Sequence, residues 1–286
     1  MDLLTVREVL ALSARYLAQR GSESARLDAE LLTAHVLGVR RIDLYLSPER
    51  PLNEQDRTRL REAVRRRGLG EPVAYITGHR EFYGIPIEVA PGALVPRPET
   101  EVLVDAVLER IRAVASPRVV DIGTGSGAIA CAVVANHSTA QVVATDRSRA
   151  ALNVAALNVR RYAPDGRIVL LEMDVLSGLA RRAFADVIVS NPPYVGESEA
   201  HLLDRGVREF EPPEALFCEE MGRAVTRRII EQAPDRLKPG GALILEVGTP
   251  AHREFVQQAL APAGFCALRA LKDPAGVVRG FSAQKA

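Results

Sequence analysis

Beyond Pro98 the sequence alternates short, branched apolar runs with stretches of helical spacing, and this alternation limits the fold more than any other feature. The runs are "RVVDIG" (118–123), "QVVATD" (141–146), "RIVLLEMD" (167–174), "ADVIVSN" (185–191) and "GALILEVG" (241–248), with helices predicted over 99–114, 127–136, 148–161, 221–236 and 250–263. Two further runs, "FCALRAL" and "GVVRGFSA", close the chain back to back. Strands separated by helices argue for a doubly wound α/β sheet, mostly parallel, and consecutive strands at the end argue for an antiparallel edge. The helix over 99–114 has Pro98, Glu99 and Glu101 in its first turn, where a missing N–H costs nothing and acidic groups meet the positive end of the helix. In such a sheet, ligands bind beyond the carboxyl ends of the strands.

The first 70 residues are written differently. Leu3, Val6 and Leu10, then Leu27, Leu31, Leu32 and Val36, then Leu60 and Val64 recur at helical spacing. Gly21 and Gly38 stand where helices would stop, and Ser24 and Asn53 where they would start. Residues 1–70 are therefore expected to form a small helical bundle. Over 71–95, "PVAYITG" and "REFYGIPIEVAPGALVP" read as β-like pieces and predict a linking hairpin, which leaves 96–286 as the sheet domain.

Composition removes several function classes. No apolar run approaches the roughly 20 residues that a membrane helix needs, and the acidic residues near the N-terminus do not suit a signal peptide. A net charge of +1 does not suit a chain that binds nucleic acid over its whole surface. All but three of the 37 basic residues are arginine, and the densest group, Arg65 to Arg67, reads as a solvated helix end. Cys131, Cys218 and Cys266 match neither a metal-ligand spacing nor a disulfide set, so a reducing cytoplasm and no metal are expected.

Three loops at the expected ligand-binding edge carry unusual residues. In "DIGTGSGAIA", Gly123, Thr124, Gly125, Ser126 and Gly127 make a strand–turn–helix junction where a ligand can approach main-chain N–H groups. Gly123, Gly125 and Ala128 also satisfy the dinucleotide pattern G-x-G-x-x-A, but Asp121 before the first glycine favours a cationic ligand group over a pyrophosphate. Asp146 ends the next strand, 23 residues beyond Gly123, where a carboxylate can accept both hydroxyls of a ribose. The strand after that ends at Asp174 and Val175, which could flank an adenine ring, although an aspartate capping the next turn fits as well.

A fourth loop, "SNPPY", decides between chemistries. Asn191 offers a carboxamide oxygen, and the carbonyl of Pro192 offers a second acceptor. Pro192 and Pro193 remove donors and fix φ, and Tyr194 supplies a flat ring. Together they describe a clamp for a planar –NH2 group. His79, His137 and His201 read as surface or structural residues, and no step requires a metal.

The combination "DIGTGSG", "ATD" and "SNPPY" resembles the S-adenosylmethionine-dependent methyltransferases that modify amino groups of planar amides or bases. Within them, "EPVAYITGHREFYG" (71–84), "VPRPETE" (95–101) and "RLDAELLTAHVLG" (26–38) are similar to the bacterial release-factor glutamine methyltransferases. The resemblance implies a Rossmann-like methyltransferase fold and an N-terminal bundle that engages the release factor. It further implies methylation of the side-chain amide of the glutamine in the factor's Gly-Gly-Gln loop. It assigns Gly123 to Gly127 and Asp146 to the cofactor, Val175 to the side of the adenine, and Asn191, Pro192, Pro193 and Tyr194 to the glutamine, with Asn191 also close to the cofactor. A monomer that contacts the protein substrate directly, without nucleic acid or membrane, is expected.

One segment departs from the family pattern: where members carry an "ALDGG"-type run, this chain reads "EPPEALFCEEMGRAV" (211–225), and the "KDPAGVVRG" ending is slightly shorter. Four rival readings fit less well, the first being a non-catalytic cofactor-binding scaffold, which would leave the clamp idle. A DNA amino-methyltransferase would need a basic face or a recognition insert. A ribosomal-protein glutamine methyltransferase typically diverges at "PRPETE". A nicotinamide-dependent oxidoreductase leaves "NPPY" without a purpose.

Overall fold

The computed structural model describes residues 4–286, so Leu3 of the first helical repeat lies outside the described residues. The chain forms two compact units, one running to Gly78 and joined by Asp204–Phe210, the other His79–Leu203 with Glu211–Ala286.

The first unit is helical: α1 (Val6–Gln19), α2 (Ala25–Leu37), α3 (Asp43–Leu46), α4 (Glu54–Gly68) and α5 (Val73–Thr77). A reciprocal capping box starts α1, with Glu8 N–H donating to Thr5 Oγ1 (3.4 Å) and Thr5 N–H donating to the Glu8 carboxylate (2.8 Å). Asn53 caps α4 through the Asp56 N–H (2.8 Å), and Gly38 ends α2 at φ +63°. Ser24 precedes α2 as expected but donates its hydroxyl to Asp28 (2.9 Å) instead of capping a backbone N–H. Leu17, Leu32, Leu52 and Leu60 fill the core. Arg65 pairs with Glu62, Arg66 with Glu71 and Arg67 with the buried Asp28, so this arginine run is internally neutralised.

The expectation of a strand-like "PVAYITG" is corrected: Val73–Thr77 is α5. Pro72 supplies a pre-set φ of −57° at its start, and Gly78 stops it at φ +80°. An apolar run this short carries no period that separates helix from strand.

The second unit opens with a hairpin of β1 (His79–Phe82) and β2 (Ile85–Glu88). Its two turn residues, Tyr83 and Gly84, both have positive φ, +50° and +72°, as a tight hairpin with right-handed twist requires. A 3-10 turn (Pro98–Thr100) leads into α6 (Glu101–Ile111), and then β3 (Arg118–Ile122), α7 (Ala128–Asn136), β4 (Gln141–Asp146), α8 (Arg149–Tyr162), β5 (Ile168–Glu172) and β6 (Ala185–Ser190). After α9 (Arg205–Phe210), which belongs to the first unit, come α10 (Pro213–Leu216), the kinked α11 (Glu219–Gly222), α12 (Ala224–Gln232), β7 (Leu237–Glu246), α13 (Pro250–Leu260), β8 (Phe265–Lys272) and β9 (Val278–Lys285).

The seven-stranded sheet has the order β5-β4-β3-β6-β7-β9-β8. The first five strands are parallel, whereas β9 runs antiparallel to both β7 and β8. The chain leaves β3 toward β4 on one side and returns to β6 on the other, which makes the carboxyl ends of β3 and β6 the switch point where a crevice opens. There the Ser190 hydroxyl donates to the Ile122 carbonyl (2.8 Å) and locks the two strand tips together. Val120 and Ile188 of the sheet pack with Ile229 and Ile230 of α12 and Val256 of α13 in one core.

Three predicted helices are shorter in the structure, the first being the one expected over 99–114, which ends at Ile111. The one expected over 221–236 starts at Ala224, because Glu220 and Met221 sit in the left-handed region at φ +53° and +56°. The one expected over 250–263 ends at Leu260; Ala261 keeps helical angles (φ −63°, ψ −46°), but Pro262 has no N–H with which to continue the ladder. The left-handed pair falls in the 211–225 segment, which is expected to depart from the family pattern. L-residues there cost about 1–2 kcal/mol each, so Met221→Gly, at an exposed side chain, is expected to stabilise the protein by about 0.5–1 kcal/mol in a denaturant titration.

Candidate active site

The loop after β3 is held from below by polar side chains and is bare above. Thr124 and Ser126 are buried: the Thr124 hydroxyl donates to Asp121 Oδ2 (2.6 Å), and the Ser126 carbonyl accepts from Asn158 Nδ2 of α8 (2.9 Å). Gly123 and Gly125 have φ of +67° and +57°, and a Cβ on either would project into open space. Gly127 is different, since a Cβ there would press on Ala155 of α8. Gly123 and Gly125 thus line the cleft, while Thr124, Ser126 and Gly127 shape the loop behind it. Asp121 is fully buried under the loop, where burial pushes its carboxyl up to about 7, and it does not line the cleft.

Asp146 stands at the tip of β4. One of its oxygens accepts the Gly125 N–H and the other the Ser148 N–H, both at 2.9 Å, so the carboxylate ties the glycine loop to the start of α8. Ser148, not Asp146, caps α8, through the Ala151 N–H. Each Asp146 oxygen retains a lone pair for a further donor. Burial raises this carboxyl above the usual aspartate range, against the pull of the two backbone N–H groups. Val175 also lines the cleft, at φ +55°, an outlier for a β-branched residue. Asp174 beside it pairs with Arg228 (2.6 Å).

The "SNPPY" loop leaves β6 beside these groups. Asn191 and Pro193 line the cleft; Pro192 and Tyr194 do not. Among the described residues no donor meets Asn191 Oδ1 or the Pro192 carbonyl, whereas Asn191 Nδ2 donates to Thr100 Oγ1 (3.2 Å). The Tyr194 ring turns inward and stacks on His252, with centroids 5.7 Å apart. Its hydroxyl reaches Glu246 Oε1 (3.4 Å) at the end of β7.

His252 is fully buried. It accepts the Gly248 N–H at Nδ1 (3.4 Å), which leaves Nε2–H for the Thr226 hydroxyl (3.0 Å), and burial lowers its pKa to about 4. It is therefore a neutral platform for the tyrosine. A Cβ at Gly248 would overlap the Tyr194 ring, so Gly248→Ala is expected to displace the loop and to lower kcat by at least about 10-fold in a methyl-transfer assay.

The remaining wall comes from residues that sequence reading did not single out. Gly92 to Leu94 follow the hairpin, and Pro212, Glu214 and Ala215 belong to the segment that departs from the family pattern. Glu211 joins these two stretches, since its buried carboxylate accepts from the Val95 N–H (3.1 Å) and from Arg97 (2.6 Å). Thr100, Glu246 and His252 were missed too. An acidic residue closing the apolar strand "ALILEVG" was the one available signal.

Comparisons with known proteins agree with this architecture. Residues 8–78 match the model of the PrmC N-terminal domain, and residues 98–206 match that of the methyltransferase small domain. A release factor glutamine methyltransferase of Rhodopirellula baltica is 43% identical over 286 residues, covering 99% of this chain and 97% of that protein. The chain belongs to the release factor glutamine methyltransferase family. Another member, from Escherichia coli, is 40% identical over 254 residues, covering 89% of this chain and 90% of its own length. The hMettl16 catalytic domain, solved with an RNA hairpin, superposes with a TM-score of 0.56 at 18% identity, covering 79% of this chain and 82% of its own. What it shares with this chain is the Rossmann-like fold. As a member of this family the chain is a methyltransferase, and its methyl donor is S-adenosylmethionine. Among the described residues no helix is long and apolar enough to cross a membrane.

Proposed function

We propose that this protein methylates the side-chain amide nitrogen of the glutamine in the Gly-Gly-Gln loop of a peptide-chain release factor. The observation that carries the reading is Asn191, which faces the cleft and has its amide end engaged by Thr100. Its Oδ1 is the acceptor that faces the cleft, and the Pro192 carbonyl, which stands outside the cleft lining and which no described donor meets, is the second acceptor this reading assigns to the two N–H groups of one planar carboxamide. An amide nitrogen is a poor nucleophile because its lone pair is delocalised, and no carboxylate removes its proton at neutral pH. Acceptors on both N–H groups favour positive charge as it develops on that nitrogen, and a fixed orientation recovers part of the barrier that random encounter imposes.

The residues fit the donor. Bare backbone at Gly123 and Gly125 leaves room for close approach, and Asp146 keeps lone pairs for two ribose hydroxyls. Val175 takes the place beside the adenine. Bound there, S-adenosylmethionine supplies a sulfonium methyl group as the electrophile. Pro192 and Pro193 hold the acceptors rigid, and Tyr194 acts from behind them, packed on His252, instead of offering its face to the cleft. Residues 1–70 engage the factor, with 71–95 as a link to the catalytic domain over 96–286. The enzyme works as a cytoplasmic monomer without contacting nucleic acid, in keeping with its balanced charge.

Incubation with labelled S-adenosylmethionine and, separately, release factor, ribosomal protein and duplex DNA tests this reading. Label on the release factor is expected. Label confined to DNA or to ribosomal protein would overturn it.

A further inference from the structure

We propose that Thr100 and Glu246 are positioning residues that fix which end of the Asn191 carboxamide faces the cleft. This inference rests on the reading of Asn191 as the acceptor for the substrate amide. A carboxamide has a donor end and an acceptor end of nearly the same shape, so something must choose between them. The Thr100 hydroxyl donates to Glu246 Oε2 at 2.6 Å. A hydroxyl has one proton. With that proton committed to the carboxylate, Thr100 Oγ1 has only lone pairs for Asn191, which lies 3.2 Å away. Asn191 must therefore turn Nδ2 toward Thr100 and Oδ1 toward the cleft.

Glu246 is well placed for this task. It is 4% exposed, does not line the cleft, and receives the Tyr194 hydroxyl on its other oxygen. One carboxylate thus holds both the residue that orients Asn191 and the ring that closes the same loop. The charged and titratable groups around it come from several elements. Glu99 opposes its ionisation, and Arg279, shared with Asp273 and Glu99, favours it. Arg97 lies toward Tyr194, and His252 behind that ring is neutral. Burial outweighs the hydrogen bonds from Thr100 and Tyr194 and lifts the Glu246 carboxyl to about 7.

Protonation reverses the relay. A proton on the oxygen facing Thr100 makes Glu246 the donor, the Thr100 proton swings toward Asn191, and the carboxamide turns Nδ2 into the cleft. An N–H of the substrate then meets an N–H. Methyl transfer is accordingly expected to decline as pH falls below about 7, with Glu246 as the responsible group.

Steady-state kinetics on Thr100→Val, Thr100→Ser and Glu246→Gln tests the proposal, with donor Kd measured by calorimetry. Thr100→Val is expected to lower kcat about 10- to 100-fold, with donor Kd within about twofold, and Thr100→Ser to restore kcat to within about threefold of wild type. A carboxamide in place of the Glu246 carboxylate can still accept from Thr100 but does not titrate, so Glu246→Gln is expected to stay active and to lose the acid limb of kcat/KM. Wild-type kcat in Thr100→Val would overturn the inference, as would an acid limb that survives Glu246→Gln. Each of those results presupposes a wild-type protein that methylates release factor. A wild-type protein that does not would remove the proposed function itself, and this inference with it.

Discussion

Asn191→Ala is expected to lower kcat for release-factor methylation about 1,000-fold while leaving the Kd for S-adenosylmethionine within about threefold. Asn191 lines the cleft, but its side-chain hydrogen bond runs to Thr100 and not to the glycine loop or Asp146. Truncation therefore removes one of the two acceptors for the substrate amide without touching the donor's principal partners. A 1,000-fold loss corresponds to about 4 kcal/mol of transition-state stabilisation. That is more than one neutral hydrogen bond contributes and is consistent with the loss of orientation as well. Single-turnover kinetics with saturating donor isolates the chemical step. Unchanged turnover in this variant would show that Asn191 holds nothing in the transition state.

Asp146→Ala should act on the other substrate. The carboxylate is expected to accept two ribose hydroxyls, and hydrogen bonds to an ionised group contribute about 1.5–3 kcal/mol each, so the donor Kd should rise about 100- to 10,000-fold. The substitution also strips the Gly125 and Ser148 N–H groups of their partner, which loosens the loop that the donor rests on. Calorimetric titration with S-adenosylmethionine measures the loss, and kcat at saturating donor should recover toward wild type. Opposite signatures in the two variants, one in turnover and one in donor affinity, separate the two halves of the cleft.

Much of this architecture is legible in the sequence because it depends on neighbours along the chain. Strand–helix alternation, the glycine turn after β3, Asp146 at a strand tip and the stiff prolines after β6 are local features with local causes. What escaped is non-local. The contact between Thr100 and Glu246 spans 146 residues and joins the 3-10 turn before α6 to the end of β7. Nothing near either residue announces the other. The inward turn of Tyr194 is of the same kind, since it is set by the bare backbone of Gly248 and by the ring of His252. The helix at Val73–Thr77 escaped for a different reason. Its five residues are too few to show a period, and its stops, Pro72 and Gly78, also bracket strands.

The chemistry assigned to the cleft concerns one atom, and locating the methyl group tests it most directly. Release factor incubated with the protein and S-adenosylmethionine can be digested and read by tandem mass spectrometry. A single methyl increment on the side-chain amide nitrogen of the Gly-Gly-Gln glutamine is the predicted result. A methyl group on any other residue of the factor, or an unmodified glutamine after complete turnover of the donor, would contradict the account.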